Sequence, residues 1–174
     1  HPVTLELDRL AYQINNLIKS LEYIDDEIII TGANADNGGA YINRNLRRFS
    51  NKNKKIHFFP SLGTQIYLSI LKFTKYAIGN SSSLLVELPS YGVYGLNIGN
   101  RQKGRIQGDN IINVQYNYKS IIKGIKKVKK LNKKKKFKNP YYKKDSSKKI
   151  INHLKSSFIN HSKEKILKKQ FNAL

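Results

Sequence analysis

Apolar residues recur along the first two thirds of this chain with two alternating periods. Leu10, Ile14, Leu17, Ile18 and Leu21 fall three or four positions apart with polar residues between them, the spacing of one helix face. They predict a helix from Val3 to Leu21, capped by Thr4, with Glu6 and Asp8 in its first turn. The run Glu27 to Thr31 (EIIIT) is short and continuously apolar, which reads as a buried strand. A polar, glycine-containing loop from Gly32 to Gly39 follows, then a helix over Ala40 to Phe49 and a strand over Lys55 to Phe59. Pro60-Ser61-Leu62-Gly63 reads as a turn, Gln65 to Lys72 as a helix and Tyr76 to Gly79 as a strand. Further on, Gly95 to Ile98 and Ile111 to Val114 read as strands and Ser120 to Leu131 as a helix. Strand and helix alternating at short spacing is the signature of a doubly wound α/β sheet, in which ligands sit beyond the C-terminal ends of the strands.

The polar motifs gather at those ends. After Tyr76–Gly79, Asn80 makes a turn and Ser81, Ser82 and Ser83 stand where a helix should start. A helix start offers unpaired N–H groups and the positive end of the dipole, both favourable to phosphate. N-capping alone would explain one serine, and three exceed that need. Glu87, four residues after Ser83, shares the serine face; Leu84, Leu85 and Leu88 cover the other, and Pro89 should end or kink the helix near Leu88. Glu87 is the only acidic residue between Asp36 and Asp109, and a carboxylate can accept from both ribose hydroxyls. Arg101, Lys103 and Arg105 follow the next strand. A solvated charged loop is the commonest fate of such a run. Arg105, after Gly104, is the best placed of the three to grip phosphate oxygens with two bonds. Asn34, Asp36 and Gly38-Gly39 read equally as turn chemistry. Together these features describe a nucleotide-diphosphate pocket.

The run GNSSS, then Glu87 and Pro89-Ser90, then NIGNRQKGR closely resembles the hydrolysing UDP-N-acetylglucosamine 2-epimerases, and His1-Pro2-Val3-Thr4 and the Asn34-x-Asp36-x-Gly38-Gly39 loop fit the same family. The resemblance implies the C-terminal part of a two-domain GT-B enzyme that makes N-acetylmannosamine, or a diacetylated bacillosamine-derived analogue, and releases UDP. It implies that His1 lies near the UDP phosphates and is functionally important, that Ser81, Ser82, Ser83, Glu87 and Arg105 bind UDP, and that Asn34 and Asp36 face the sugar or the other domain. It calls for no metal and no cofactor. In that family a strand leads into the His1 position. The resemblance therefore implies that this first strand and the N-terminal domain are absent here, and that the chain alone is inactive. The chain departs from the family at Leu84, where glycine is usual, and at Tyr94-Gly95, where Pro-Thr is usual. Leu84 is expected to crowd the phosphate turn, and Tyr94-Gly95 to loosen the start of its strand. A non-hydrolysing epimerase, a GT-B glycosyltransferase and an inactive nucleotide-binding fragment stay open as alternatives.

Charge changes the picture only at the C-terminus. Residues 1–118 hold 13 basic and 9 acidic side chains, residues 119–174 hold 20 and 2, and the whole chain of 174 residues is at +22. The excess is a lysine-rich region: a linker from Asn132 to Asn139 and helices over Ser146–Phe158 and Ser162–Phe171, which divides the chain into 1–131 and 132–174. It attracts phosphates without selectivity. It contains no arginine and no nucleic-acid recognition motif, so a solvated basic surface is the better reading. No stretch approaches the roughly twenty apolar residues of a membrane span. The absence of cysteine excludes disulfides, a thiolate nucleophile and a zinc–cysteine site. A cytosolic protein without a leader peptide, acting on a UDP-sugar, is the expectation, with homo-oligomer formation left open.

Overall fold

A computed structural model describes residues 1–131 and 137–160. Two compact units divide the chain, His1–Tyr141 and Tyr142–Leu174. The first holds strands β1 (Ile28–Thr31), β2 (Ile56–Phe59), β3 (Tyr76–Gly79), β4 (Tyr94–Ile98) and β5 (Ile111–Val114). Its helices are α1 (Leu10–Leu21), α2 (Gly39–Ser50), α3 (Gly63–Leu71), α4 (Ser83–Val86) and α5 (Tyr118–Lys129). The second is described through α6 (Ser146–Asn160), which runs two residues past the expected end at Phe158; the helix expected over Ser162–Phe171 lies outside the described residues.

The strands form two parallel sheets rather than one: β1 with β2, and β3–β4–β5 with β4 in the middle. Gly79, Asn97 and Asn113 align across the larger sheet, so its C-terminal ends share an edge. Helices lie on both faces. On one, Leu10, Ile14 and Leu21 of α1 and Ile42, Leu46 and Phe49 of α2 pack with Ile30 and Ile56. On the same face Ile121 and Ile125 of α5 pack with Leu96 and Ile98. Leu17 of α1 and Ile78 of β3 touch both clusters, so α1 spans the break between the sheets. On the other face Leu71, Leu84, Leu85, Leu88 and Val93 enclose Ala77 and Ile111. This is the three-layer arrangement of a doubly wound α/β fold.

The first helix departs from its expected form. Thr4–Arg9 is a 3₁₀ segment kinked at Glu6 (φ −132°), and only Leu10 onward is α-helical. Thr4 is not its cap: Val3 holds that position and no side chain caps the segment. Helical spacing of apolar residues begins only at Leu10, so nothing before it is held to the α-period. The segment expected to be a solvated linker ends in contacts. Phe137 meets the Tyr94 ring edge-on at 4.8 Å, and Asn139 donates to the Val86 carbonyl (2.8 Å) and to Ser90 Oγ (2.6 Å).

Candidate functional site

The loops after β1, β3 and β4 meet at one edge, and His1 joins them. Its main-chain nitrogen donates to Asn80 Oδ1 at 2.7 Å, and its carbonyl accepts from Asn80 Nδ2 at 2.8 Å. Its ring Nδ1 accepts the Asn34 N–H at 3.1 Å. Asn34 is held in turn through its neighbour: Asn43 of α2 accepts from the Ala33 N–H (2.7 Å) and donates to the Ala33 carbonyl (3.2 Å). Gly38, at φ +88°, lets the loop pass against Leu7 and Leu10, where a Cβ would meet Leu10 at 2.7 Å.

Arg101 joins the same group. Its guanidinium donates to the Asn80 carbonyl (3.2 Å), which also accepts from the fully buried Gln102 side chain (2.7 Å). A cavity of about 330 Å³ opens beside it, lined by Pro2, Thr4, Asp36, Asn100 and Arg101 among others. The His1 α-ammonium has its pKa lowered from 8.0 to about 6, chiefly by burial and next by the Arg101 charge, against the pull of Asp36. Asp36 is exposed at the cavity rim.

The serine turn is built differently from a helix N-terminus. Regular α-helix covers only Ser83–Val86, and a 3₁₀ turn from Leu88 to Tyr91 carries Pro89 at its start. Four residues align few peptide dipoles, so the macrodipole expected here contributes little. No serine side chain caps α4 at Ser82; Ser81 Oγ accepts from the Ser83 N–H at 3.3 Å instead. Ser83 Oγ is hydrogen-bonded to the Tyr67 hydroxyl of α3, leaving Ser81 and Ser82 as the half-buried hydroxyls of the turn. Glu87 follows one turn later, its N–H on the Ser83 carbonyl (3.0 Å). Its Oε2 is buried without a hydrogen-bond partner among the described residues.

The two departures at Leu84 and Gly95 fit each other. Leu84 is 4% exposed and points into the core, not into the turn it was expected to crowd. A Cβ on Gly95 would stand 3.3 Å from the Leu84 Cβ, so glycine in β4 makes the room that leucine in α4 fills. Tyr94 and Gly95 are both buried within β4, so the strand start is packed rather than loosened.

Arg105 is exposed, and its side chain makes no hydrogen bond or ion pair among the described residues. Of the cations in this loop, Arg101 is the one brought to His1 and Asn80. Asn80, Gln102, Asn43 and Tyr67 escaped the sequence reading. Asn80 and Gln102 stood inside quoted motifs, but an amide between glycine and serines, or between two cations, has no pattern that announces a buried partner.

Residues 1–155 match the family model of UDP-N-acetylglucosamine 2-epimerase. The chain belongs to the UDP-N-acetylglucosamine 2-epimerase family. Among its relatives, a Campylobacter jejuni GDP/UDP-N,N'-diacetylbacillosamine 2-epimerase (hydrolyzing) is 42% identical over 119 residues, covering 67% of this chain and 31% of the relative. The polysialic acid biosynthesis protein P7 of Escherichia coli is 37% identical over 127 residues, covering 72% and 32%. The chain thus spans about a third of the length of these epimerase-family relatives. A Methanocaldococcus jannaschii UDP-GlcNAc 2-epimerase, solved in complex with UDP-GlcNAc and UDP, superposes with a TM-score of 0.66 at 18% identity, over 86% of this chain and 41% of that one. That likeness carries the fold: a Rossmann-like α/β domain of GT-B type.

Proposed function

We propose that this chain is the UDP-binding part of a hydrolysing UDP-N-acetylglucosamine 2-epimerase and works with an N-terminal domain of the same fold type. The observation that carries the reading is the junction at Asn80, which brings His1, the serine turn and Arg101 to one edge. Fixed donors and a cation at such an edge suit the charge that develops on a departing diphosphate. Ser81 and Ser82 offer hydroxyls to the phosphates. Arg101 is better placed than Arg105 for the guanidinium grip, because its head is already turned to the Asn80 carbonyl. Glu87 takes the ribose: its buried, partnerless carboxylate oxygen is expensive to leave unpaired, and two hydroxyl donors would satisfy it. Asn34 and Asp36 face the sugar or the partner domain.

The reaction in this reading has two stages. A base removes the proton on carbon 2 of the sugar while the bond to UDP breaks, which leaves a glycal. Water then adds with carbon 2 inverted, giving free N-acetylmannosamine or a diacetylated analogue. The groups that move protons come from the N-terminal domain, so residues 1–174 by themselves do not turn over. No metal is called for in this reading. The setting in this reading is cytoplasmic.

Calorimetric titration with UDP, 2′-deoxy-UDP and uridine tests the site, in this chain and in a chain that also carries the N-terminal domain. Arg101→Ala should weaken UDP roughly ten- to a hundredfold, the worth of a charge-assisted hydrogen bond of about 1.5–3 kcal/mol. Uridine, with no phosphate, should bind unchanged. Glu87→Gln should weaken UDP more than 2′-deoxy-UDP. Intact UDP affinity in Arg101→Ala, or equal losses for both nucleotides in Glu87→Gln, would return that residue to the fold.

A further inference from the structure

Asn80 is 7% exposed, and it treats His1 as a neighbouring strand would. Its side-chain amide pairs with both main-chain groups of His1, at 2.7 and 2.8 Å. Its own carbonyl is braced by Gln102 at 2.7 Å and Arg101 at 3.2 Å. Pairing the nitrogen and the carbonyl of one residue fixes the main chain on both sides of its Cα, which limits where the ring can go. The ring is then held at a single nitrogen, Nδ1, by the Asn34 N–H. A nitrogen that accepts a hydrogen bond carries no proton, so the neutral ring has its proton on Nε2. The arrangement does not depend on the α-amino group, since a peptide N–H at His1 would offer Asn80 the same donor.

We propose that Asn80 is a positioning residue that fixes His1 as an Nε2–H donor, so that His1 meets a bound anion by donating a hydrogen bond and not as a base. The identity of that anion rests on the nucleotide reading above; the positioning does not.

Long-range ¹H–¹⁵N correlation of the His1 ring in the full chain, at a pH where the ring is neutral, tests this directly. The ring should show the Nε2–H pattern alone. Asn80→Ala should replace it by the mixed pattern of an unconstrained histidine, and protection of the Asn34 amide against hydrogen exchange should fall about fivefold, the worth of one neutral hydrogen bond. A role confined to stability would leave the tautomer unmoved. Asn80→Ser, too short to reach both His1 groups, is the second variant should Asn80→Ala fail to fold; the methyl resonances of Leu96 and Ile121 report folding in each. An Nδ1–H ring in the parent chain, or an unchanged tautomer in a folded Asn80 variant, overturns the proposal. UDP is then added. A shift of Nε2 supports the donor role. An unmoved Nε2 in a ring that is Nε2–H and sensitive to Asn80 overturns the nucleotide reading and leaves the positioning role standing.

Discussion

The two sheets obey the same parallel pairing and differ in how fully they are clothed. Every residue of β4 is buried, and helices cover both faces of the sheet it centres. In β1 and β2 only one face is covered among the described residues, by α1 and α2; Ile29, Thr31, His57 and Phe59 on the other are exposed. The contrast separates two duties. The enclosed sheet fixes the serine turn and the Arg101 loop to within hydrogen-bond distances, and the loop after β1 of the half-covered sheet contributes the Asn34 N–H and the exposed Asp36. Precision at the site comes from the side that is packed on both faces.

That contrast can be broken most sharply at Gly99, just past β4. Its φ is +75° and the Tyr116 ring lies where a Cβ would go. Gly99→Ala adds a clash to a strained backbone and should destabilise the chain by about 3 kcal/mol or more, seen as a lowered midpoint in urea. A midpoint within error of the parent would mean that the enclosed sheet has slack.

Next in size is a dependence on pH. The His1 α-ammonium titrates at about 6 in the folded chain against 8.0 ordinarily. Between those values the unfolded chain binds more protons, so stability rises with pH. About 2–3 kcal/mol is absent below pH 6 and fully present above pH 8. Acetylating His1 keeps the N–H for Asn80 and removes the charge, and it should flatten this part of the profile. The same slope in the acetylated chain would assign it to another group.

A smaller effect sharpens the packing side of the comparison. Gly95→Ala places a Cβ 3.0 Å from Ile111 and 3.3 Å from Leu84. It should cost about 1–2 kcal/mol alone, and less in a Leu84→Ala background, with a coupling of at least about 0.5 kcal/mol. Additive losses would mean that Ile111 alone sets the limit. Smallest of all, Ile29→Thr on the open face of β1 should change stability by less than about 0.5 kcal/mol. A larger loss would show that this face is covered after all.

How legible these features were follows from their range in sequence. β3 and β5 run as read, and β1, β2, β4, α2, α3, α5 and α6 fall within a few residues, because period and turn chemistry are local. Pro89 marks the end of α-helix for the same reason, although α4 stops earlier, at Val86. The break between the sheets was not legible in the alternation of strands and helices, which says nothing about which strands pair. Nor was the fit of Leu84 to Gly95, which joins two elements across the core. At the site, hydroxyls and charges stood out as residue types. The glycine before Arg105 singled it out locally, yet it is Arg101 that the fold turns toward Asn80. Asn80 itself acts through partners near and far along the chain, so it read as a turn residue.

The seam at His1 also bears on the order in which the molecule assembles. Within each sheet the paired strands are neighbours along the chain, so both sheets close through connections much shorter than the span from His1 to Asn80. His1 and Asn80 are 79 residues apart. Contacts this distant in sequence carry a larger loop-closure entropy and tend to slow folding. The two sheets should therefore form as separate nuclei, with the His1–Asn80 clasp among the last contacts made. On that route the edge that gathers the serine turn and Arg101 has no early precursor. It comes into being when the chain's first residue arrives.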